Sequence, residues 1–206
     1  MVTIKDIAAR SHVSTATVSH VINGTSNVRP ERRERVLRAI RELKYHPNAV
    51  ARSLRTSQTR TVGMIVPDIT NPFFPAVVRG AEDVLRRAGH TLIVGNSDSD
   101  SEKEEAYYRT FSAKRVDGLL LTASISTRPP EYLLHHDLAD VPIVFVDCFY
   151  HGVPADAVVT DNVGGSFQAV CHLFEAGHRR IGVITGPLQL VNARMRFQGY
   201  KRAFAQ

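Results

Sequence analysis

After residue 60 the sequence alternates between short apolar runs rich in β-branched residues and longer stretches whose apolar residues have helical spacing. The short runs predict strands at Val62–Val66, Thr91–Gly95, Gly118–Leu121, Ile143–Val146, Val158–Thr160 and Ile181–Ile184. The spacing predicts helices at Phe74–Ala88 and Glu102–Lys114. Strands that alternate with helices predict a parallel sheet with helices on both faces. Ligands of such sheets bind beyond the carboxyl ends of the strands, so a site is expected there.

The first 46 residues contain start and stop signals for short helices. Thr3 followed by Asp6 is a capping-box pattern, which predicts a helix that begins at Ile4. Ser14 is a good N-cap residue for a second helix, predicted over Thr15–Ile22. The short interval between the two predicts a tight turn.

The second predicted helix has one apolar stripe and one small, polar face. Spacings of three and four place Val18, Val21 and Ile22 on the same buried stripe. The residues that face away are Thr15, Ala16, Ser19 and His20. A third helix, opened by Pro30, braces the pair. This is the helix-turn-helix arrangement, whose second helix enters the major groove of DNA; a generic three-helix bundle is the alternative.

Positive charge is concentrated at one end of the chain. Residues 1–60 contain 12 Lys and Arg against 4 Asp and Glu, a net charge of +8, whereas residues 61–206 contain 14 against 16, a net charge of −2. Such asymmetry is typical of a nucleic-acid-binding module attached to a neutral body. Charge alone leaves a solvated basic surface as the alternative.

Several other protein classes lack support in the sequence. No G-x-G-x-x-G, Walker loop, nucleophile elbow or H-E-x-x-H motif occurs, so neither a cofactor nor an enzymatic activity is predicted. The apolar runs are shorter than the roughly 20 residues that span a bilayer, and no secretory signal pattern is present, so a cytoplasmic protein without membrane contact is predicted. Cys148 and Cys171 have no C-x-x-C spacing and are predicted to be reduced, packed residues without a metal.

Two stretches near the N-terminus resemble a known family. Residues 3–8 read Thr-Ile-Lys-Asp-Ile-Ala, and residues 13–24 read Val-Ser-Thr-Ala-Thr-Val-Ser-His-Val-Ile-Asn-Gly. Both are similar to the headpiece of the lactose/galactose repressor (LacI/GalR) family, and most similar to its purine-repressor type. Further matches at Val116–Leu121, Asp161-Asn162 and Gly177–Gly182 extend the resemblance over residues 2–205.

The resemblance implies an all-α helix-turn-helix headpiece plus an α/β domain like that of periplasmic sugar-binding proteins, with a parallel sheet and an incomplete second subdomain. The implied divisions are a headpiece at residues 1–46, a hinge helix and linker at 47–60, an N-terminal effector subdomain at 61–160 and a partial C-terminal effector subdomain at 161–206. Proteins of this kind act as homodimers on palindromic double-stranded DNA operators.

The resemblance also implies DNA contacts in the second helix. Thr15, Ala16 and His20 are assigned to base edges, with Thr17 and Ser19 near phosphate groups. Their chemistry agrees, because a threonine hydroxyl donates or accepts, methyl groups contact the thymine methyl, and an imidazole can donate to guanine acceptors.

The segment around Leu54 is too short to form a stable helix alone. By resemblance, two such hinge helices pair over the minor groove, Leu54 inserts between base steps and Arg55 lies in the groove. The wedge costs roughly a few kcal/mol of unstacking, which the larger contact with a kinked duplex offsets. Taken without the resemblance, Leu54 is better interpreted as the apolar core of a linker.

For the effector, the resemblance points to residues from both subdomains. They are Phe73, Phe74, Asp147, Asn192 and Arg196. An aromatic pair suits the apolar face of a sugar or purine ring, and Arg196 can donate a fork of hydrogen bonds. The two phenylalanines fit a core role equally well, and Asp147 could merely cap a loop. Leu190 stands where purine-type members have arginine, which argues against a purine effector.

The chain stops at Gln206 inside a predicted helix, which we interpret as a fragment of a longer regulator. The predicted function is a sequence-specific DNA-binding transcriptional regulator, a repressor controlled by a small-molecule effector such as a sugar. The alternative is a truncated DNA-binding module that responds to no effector.

Overall fold

A computed structural model describes residues 2–25, 27–45, 58–124, 128–134 and 141–205. Contacts divide the chain into residues 1–56 and residues 57–206, called here the headpiece unit and the α/β unit. The predicted hinge contacts Leu54 and Arg55 lie outside the described residues.

The described part of the headpiece unit consists of three helices: α1 (Ile4–Ser11), α2 (Thr15–Asn23) and α3 (Pro30–Glu42). A capping box begins α1, because the Asp6 N–H donates to the Thr3 hydroxyl at 3.4 Å and the Asp6 carboxylate accepts from the Thr3 N–H at 2.8 Å. At the start of α2 the Ser14 hydroxyl accepts from the Thr17 N–H at 3.2 Å. Gly24, with φ of 65°, ends α2 in a left-handed conformation that glycine adopts without strain. Both predicted helix starts are confirmed.

The headpiece core lies among these three helices. Its buried members are Ile7, Ala8, Val18, Val36 and Ala39. Because Val18 is fully buried, it fixes the rotation of α2 about its axis. The opposite side of α2 therefore faces solvent.

The α/β unit has five strands within its described residues: β1 (Thr61–Val66), β2 (Thr91–Asn96), β3 (Gly118–Leu121), β4 (Ile143–Val146) and β5 (Asp156–Val158). Its helices are α4 (Phe73–Arg87), α5 (Ser101–Ala113), α6 (Glu131–Leu134), α7 (Asn162–Glu175) and α8 (Val191–Phe204). The strands form one sheet in the order β2-β1-β3-β4-β5, and every neighbouring pair is parallel. The predicted parallel sheet is confirmed.

The sheet is covered on both faces. On one face Met64 and Val66 pack with Phe74 of α4. On the other face Ile65 packs in a cluster with Phe111 of α5. Alternate residues of β1 therefore enter two separate cores, as expected for a strand buried on both sides.

Two of the strand predictions need correction. The strand predicted at Val158–Thr160 lies instead at Asp156–Val158, as β5. The ladder between β4 and β5 stops at the pair Val146 and Val158, because β4 ends at Val146. The prediction of a strand at Ile181–Ile184 is wrong. A strand exists only through pairing, and within the described residues no strand lies beside this segment, in which Ile184 is fully exposed.

No helix in the part of the chain that the structure describes is long and apolar enough to cross a membrane.

Candidate DNA-binding face and effector pocket

The solvent-facing side of α2 brings together the five residues predicted to contact DNA. Thr15, Ala16 and His20 are exposed, and Thr17 and Ser19 are partly buried. The His20 Nδ1 atom lies 3.0 Å from the Thr25 hydroxyl, which holds the ring at the end of the helix. The face is small and polar, so it can approach base edges closely. Contact with DNA stays a prediction for each of the five.

The described part of the headpiece unit is strongly basic. Counted over residues 2–25 and 27–45, nine Lys and Arg oppose four Asp and Glu. Arg10 forms an ion pair with Glu42 at 2.6 Å, in which both side chains are substantially exposed. Exposed cations of this number favour binding to a polyanion, and the attraction is expected to weaken as salt is added.

In the α/β unit a cavity of about 420 Å³ opens at the carboxyl ends of the strands. All five residues predicted to bind the effector line it: Phe73, Phe74, Asp147, Asn192 and Arg196. The location agrees with the rule for parallel sheets. That these residues contact an effector stays a prediction.

The two phenylalanines predicted to bind the effector differ in burial. Phe74 is 5% exposed and belongs to the core under α4, whereas Phe73 is 42% exposed. Their ring centroids lie 5.1 Å apart in an edge-to-face arrangement. The side-chain oxygen of Asn71 accepts from the Phe73 N–H at 3.1 Å, in the turn that precedes α4. Phe73 is therefore the ring that is open to a ligand.

A polar contact joins the two predicted subdomains across the cavity, and a second one orients Arg196 within the C-terminal subdomain. Asp147 directly follows β4, and its carboxylate accepts from the Asn192 side-chain amide at 2.9 Å. Arg196 Nε donates to the Asn162 side-chain oxygen at 2.7 Å. Burial raises the pKa of Asp147, against the opposing effects of the Arg196 charge and the Asn192 hydrogen bond. The cavity therefore offers a carboxylate acceptor and a guanidinium donor near one another.

The sequence analysis missed several cavity residues. Thr122 and Ala123 line the cavity directly after β3, and Cys148 lines it beside Asp147. Burial raises the pKa of the Cys148 thiol to about 11, so this thiol is protonated at neutral pH. The carboxyl-end rule alone would have found Thr122 and Ala123, because the β3 prediction was correct. For Cys148 the signal was its place after β4.

Thr122 has an unsatisfied polar atom. The residue is 1% exposed, and its hydroxyl oxygen has no hydrogen-bond partner among the residues that the structure describes. We expect Thr122→Val to raise the free energy of unfolding by about 1–2 kcal/mol, because a buried hydroxyl without a partner is destabilising. Urea unfolding followed by circular dichroism measures the change.

A matched control for this prediction is Ser124→Ala, since the Ser124 hydroxyl donates to Glu104 at 2.6 Å. This substitution should lower the free energy of unfolding. If Thr122→Val destabilises the protein as much as Ser124→Ala does, the Thr122 hydroxyl has a partner after all.

Both units match known families. Residues 3–48 match the family model for bacterial regulatory proteins of the lacI family. Residues 59–206 match the model for periplasmic binding proteins and the sugar binding domain of the LacI family.

Among curated relatives, the ribose operon repressor of Haemophilus influenzae is 40% identical over 206 residues, which is 100% of this chain and 61% of the relative. The HTH-type transcriptional repressor PurR of Aliivibrio fischeri is 41% identical over 205 residues, which is 100% of this chain and 60% of the relative. The chain thus spans about three fifths of the length of these relatives.

Solved structures agree with the sequence matches. The lac repressor dimer bound to operator and the anti-inducer ONPF is 28% identical with a TM-score of 0.81, over 99% of this chain and 62% of that chain. The complex of the transcriptional regulator CelR with cellobiose is 34% identical with a TM-score of 0.62, over 100% of this chain and 62% of that chain. The resemblance in the headpiece motifs, the parallel sheet and both family matches lead to one conclusion: the chain belongs to the lacI family of bacterial regulatory proteins.

Proposed function

We propose that the protein is a sequence-specific transcriptional repressor that binds operator DNA through α2 and is controlled by a small metabolite. One observation carries the DNA-binding half of this proposal. The small, polar side of α2 is exposed on a basic unit while Val18, on the opposite side, is fully buried. A helix held in this way can enter the major groove without losing its own packing.

The proposed operator is palindromic and is bound by a homodimer. The structure of a relative, the lac repressor, is of a dimer bound to operator. Two copies of α2 reading two half-sites would require such symmetry in the DNA. In this proposal Leu54 and Arg55 contact the minor groove between the half-sites, within a hinge helix and linker at residues 47–60.

The proposed effector is a sugar held in the cavity of the α/β unit. Phe73 supplies an open aromatic ring, Asp147 accepts hydrogen bonds from hydroxyl groups, and Arg196 donates them. Relatives of known structure include the CelR regulator in complex with cellobiose and the Cra regulator of Pseudomonas putida in complex with fructose 1-phosphate. Leu190 lines the cavity at the position where purine-type members have arginine, which argues against a purine effector.

Selection of bound sequences from a random pool of duplex DNA tests the first half of the proposal. The expected result is a palindrome with a central CG step, bound with an affinity that falls steeply as salt rises. Recovery of no preferred sequence at moderate ionic strength, even with an artificially dimerised protein, would contradict it.

Isothermal titration with D-ribose, D-xylulose, cellobiose and fructose 1-phosphate, called here the sugar panel, tests the second half. Heat of binding with one of these sugars supports an effector-controlled repressor. Absence of binding to every tested sugar favours a DNA-binding module that does not sense sugars.

A further inference from the structure

Behind the cavity wall lies a carboxylate that the proposed function does not use. Glu104, in the first turns of α5, is 0% exposed. Both of its oxygens accept hydrogen bonds. One accepts from the N–H and the hydroxyl of Ser124 at 2.7 and 2.6 Å, and the other accepts from the Tyr132 and Tyr150 hydroxyls at 2.6 and 3.1 Å.

These donors satisfy a buried charge without a cation. A carboxylate removed from water is costly unless hydrogen bonds replace its hydration, and four donors at these distances do so. Within the described residues no ion pair involves Glu104. Burial and the nearby Glu104 charge raise the pKa values of Tyr132 and Tyr150, so both phenols stay protonated and keep donating.

Two of the three donor residues belong to loops that line the cavity. Ser124 follows Thr122 and Ala123 in the loop after β3, and Tyr150 follows Asp147 and Cys148 in the loop after β4. The two loops also meet directly, since the Ala123 N–H donates to the Cys148 carbonyl at 3.2 Å. Tyr132 is different, because it belongs to α6, and no residue of that helix lines the cavity.

We propose that Glu104 is a positioning residue for the effector pocket: it holds the loops after β3 and β4 together from behind and thereby fixes the cavity residues Thr122, Ala123, Asp147 and Cys148. This inference rests on the proposed role of the cavity as the effector site. Glu104 itself touches no ligand in this arrangement.

Glu104→Gln tests the proposal with the sugar of the panel that the wild-type protein binds. The variant keeps the size of the side chain but replaces one acceptor oxygen by an NH₂ group that cannot accept from the loops. We expect its affinity for the sugar to fall about tenfold. The matched control is Glu102→Gln, which removes an exposed carboxylate from the same helix and should leave the affinity unchanged.

Two tyrosine variants separate positioning from general stability. Tyr150→Phe and Tyr132→Phe each delete one hydrogen bond to the same Glu104 oxygen, but only Tyr150 belongs to a cavity loop. Tyr150→Phe should weaken sugar binding several-fold, whereas Tyr132→Phe should change it less than about twofold. The thermal midpoint of unfolding of each variant is measured as well. If the loss of sugar affinity is proportional to the loss of thermal stability in both variants, the proposal is overturned.

A second measurement needs no sugar. In a Cys171→Ser background, the rate at which the disulfide reagent DTNB labels Cys148 reports how often the cavity wall opens, because Cys148 is 3% exposed. Glu104→Gln should raise this rate about tenfold at fixed pH, and Tyr132→Phe should leave it within about twofold. Equal labelling rates with and without Glu104→Gln in the Cys171→Ser background would overturn the proposal. Sugar binding that is absent from the wild type itself would overturn only the proposed effector function.

Discussion

Replacing Ala16 by aspartate is expected to lower the affinity for operator DNA by at least about 100-fold while leaving the headpiece folded. Ala16 is the second residue of α2, exposed on the side predicted to face base edges. A carboxylate there would meet the acceptor-rich floor of the major groove and the phosphates that flank it. This repulsion is expected to keep the whole of α2 out of the major groove, so the loss exceeds that of the Ala16 methyl contact alone.

The same substitution should not harm the helix itself. The first turn of α2 contains no acidic residue, and the N-terminal end of a helix favours negative charge. The thermal midpoint of unfolding of Ala16→Asp should therefore equal or slightly exceed that of the wild type. This opposite behaviour of binding and stability distinguishes a recognition face from a core position.

Fluorescence anisotropy with the selected duplex measures the affinity, and circular dichroism measures the folding. The control is Arg41→Gln, which changes the net charge by the same −1 at an exposed site near the end of α3. Arg41→Gln should weaken binding only slightly. A similar loss in both variants would mean that total charge, rather than the face of α2, determines the affinity.

The headpiece could be predicted closely from sequence because its signals are local. The capping box at Thr3 and Asp6 involves residues three apart, as does the bond between Ser14 and Thr17. Such contacts depend on the adjacent backbone alone, so a pattern in the sequence is enough to find them. The end of α2 at Gly24 also depends on one residue, because glycine adopts the left-handed conformation that ends the helix.

The α/β unit was predicted less completely because its decisive contacts are distant in sequence. Glu104 bonds to residues 20, 28 and 46 positions away, and nothing in the local pattern around Glu104 distinguishes it from the exposed Glu102. Strand propensity also fails at Ile181–Ile184, where apolar β-branched residues occur without a strand beside them. Burial of a charged residue and pairing of a strand are both decided by the rest of the fold.

The cavity residues were predicted through the family resemblance, which assigned Phe73, Asp147 and Arg196 to the effector. Phe73 and Asp147 lie in the segments after β1 and β4, where the rule for parallel sheets also places a site. Their hydrogen bonds were not predictable, since the bond from Asn192 to Asp147 spans 45 positions and depends on where α8 begins.

Loss of the Arg196 guanidinium should reduce the affinity for the proposed sugar by about 10- to 100-fold. Arg196 is exposed to the cavity and uses Nε to donate to Asn162, an arrangement that holds the planar group in one orientation. The rest of the guanidinium can donate to vicinal hydroxyls, and a hydrogen bond from a charged donor contributes about 1.5–3 kcal/mol. Arg196→Gln removes this charge and the fork of donors together.

Asp147 makes the loss larger than one hydrogen bond. The positive charge of Arg196 opposes the effect of burial on the pKa of Asp147, so without it that pKa should rise further. The carboxylate then becomes a poorer acceptor as the pH falls through its raised pKa. Sugar binding by Arg196→Gln should therefore weaken at a higher pH than binding by the wild type does.

Isothermal titration between pH 5 and pH 8 measures both effects. Arg194→Gln is the matched control, because Arg194 lies on the same helix but donates to the Leu188 and Gln189 carbonyls and does not line the cavity. Arg196→Lys keeps the charge without the planar fork and should recover only part of the affinity. Sugar binding by Arg196→Gln that matches the wild type across this pH range would show that the effector does not contact Arg196.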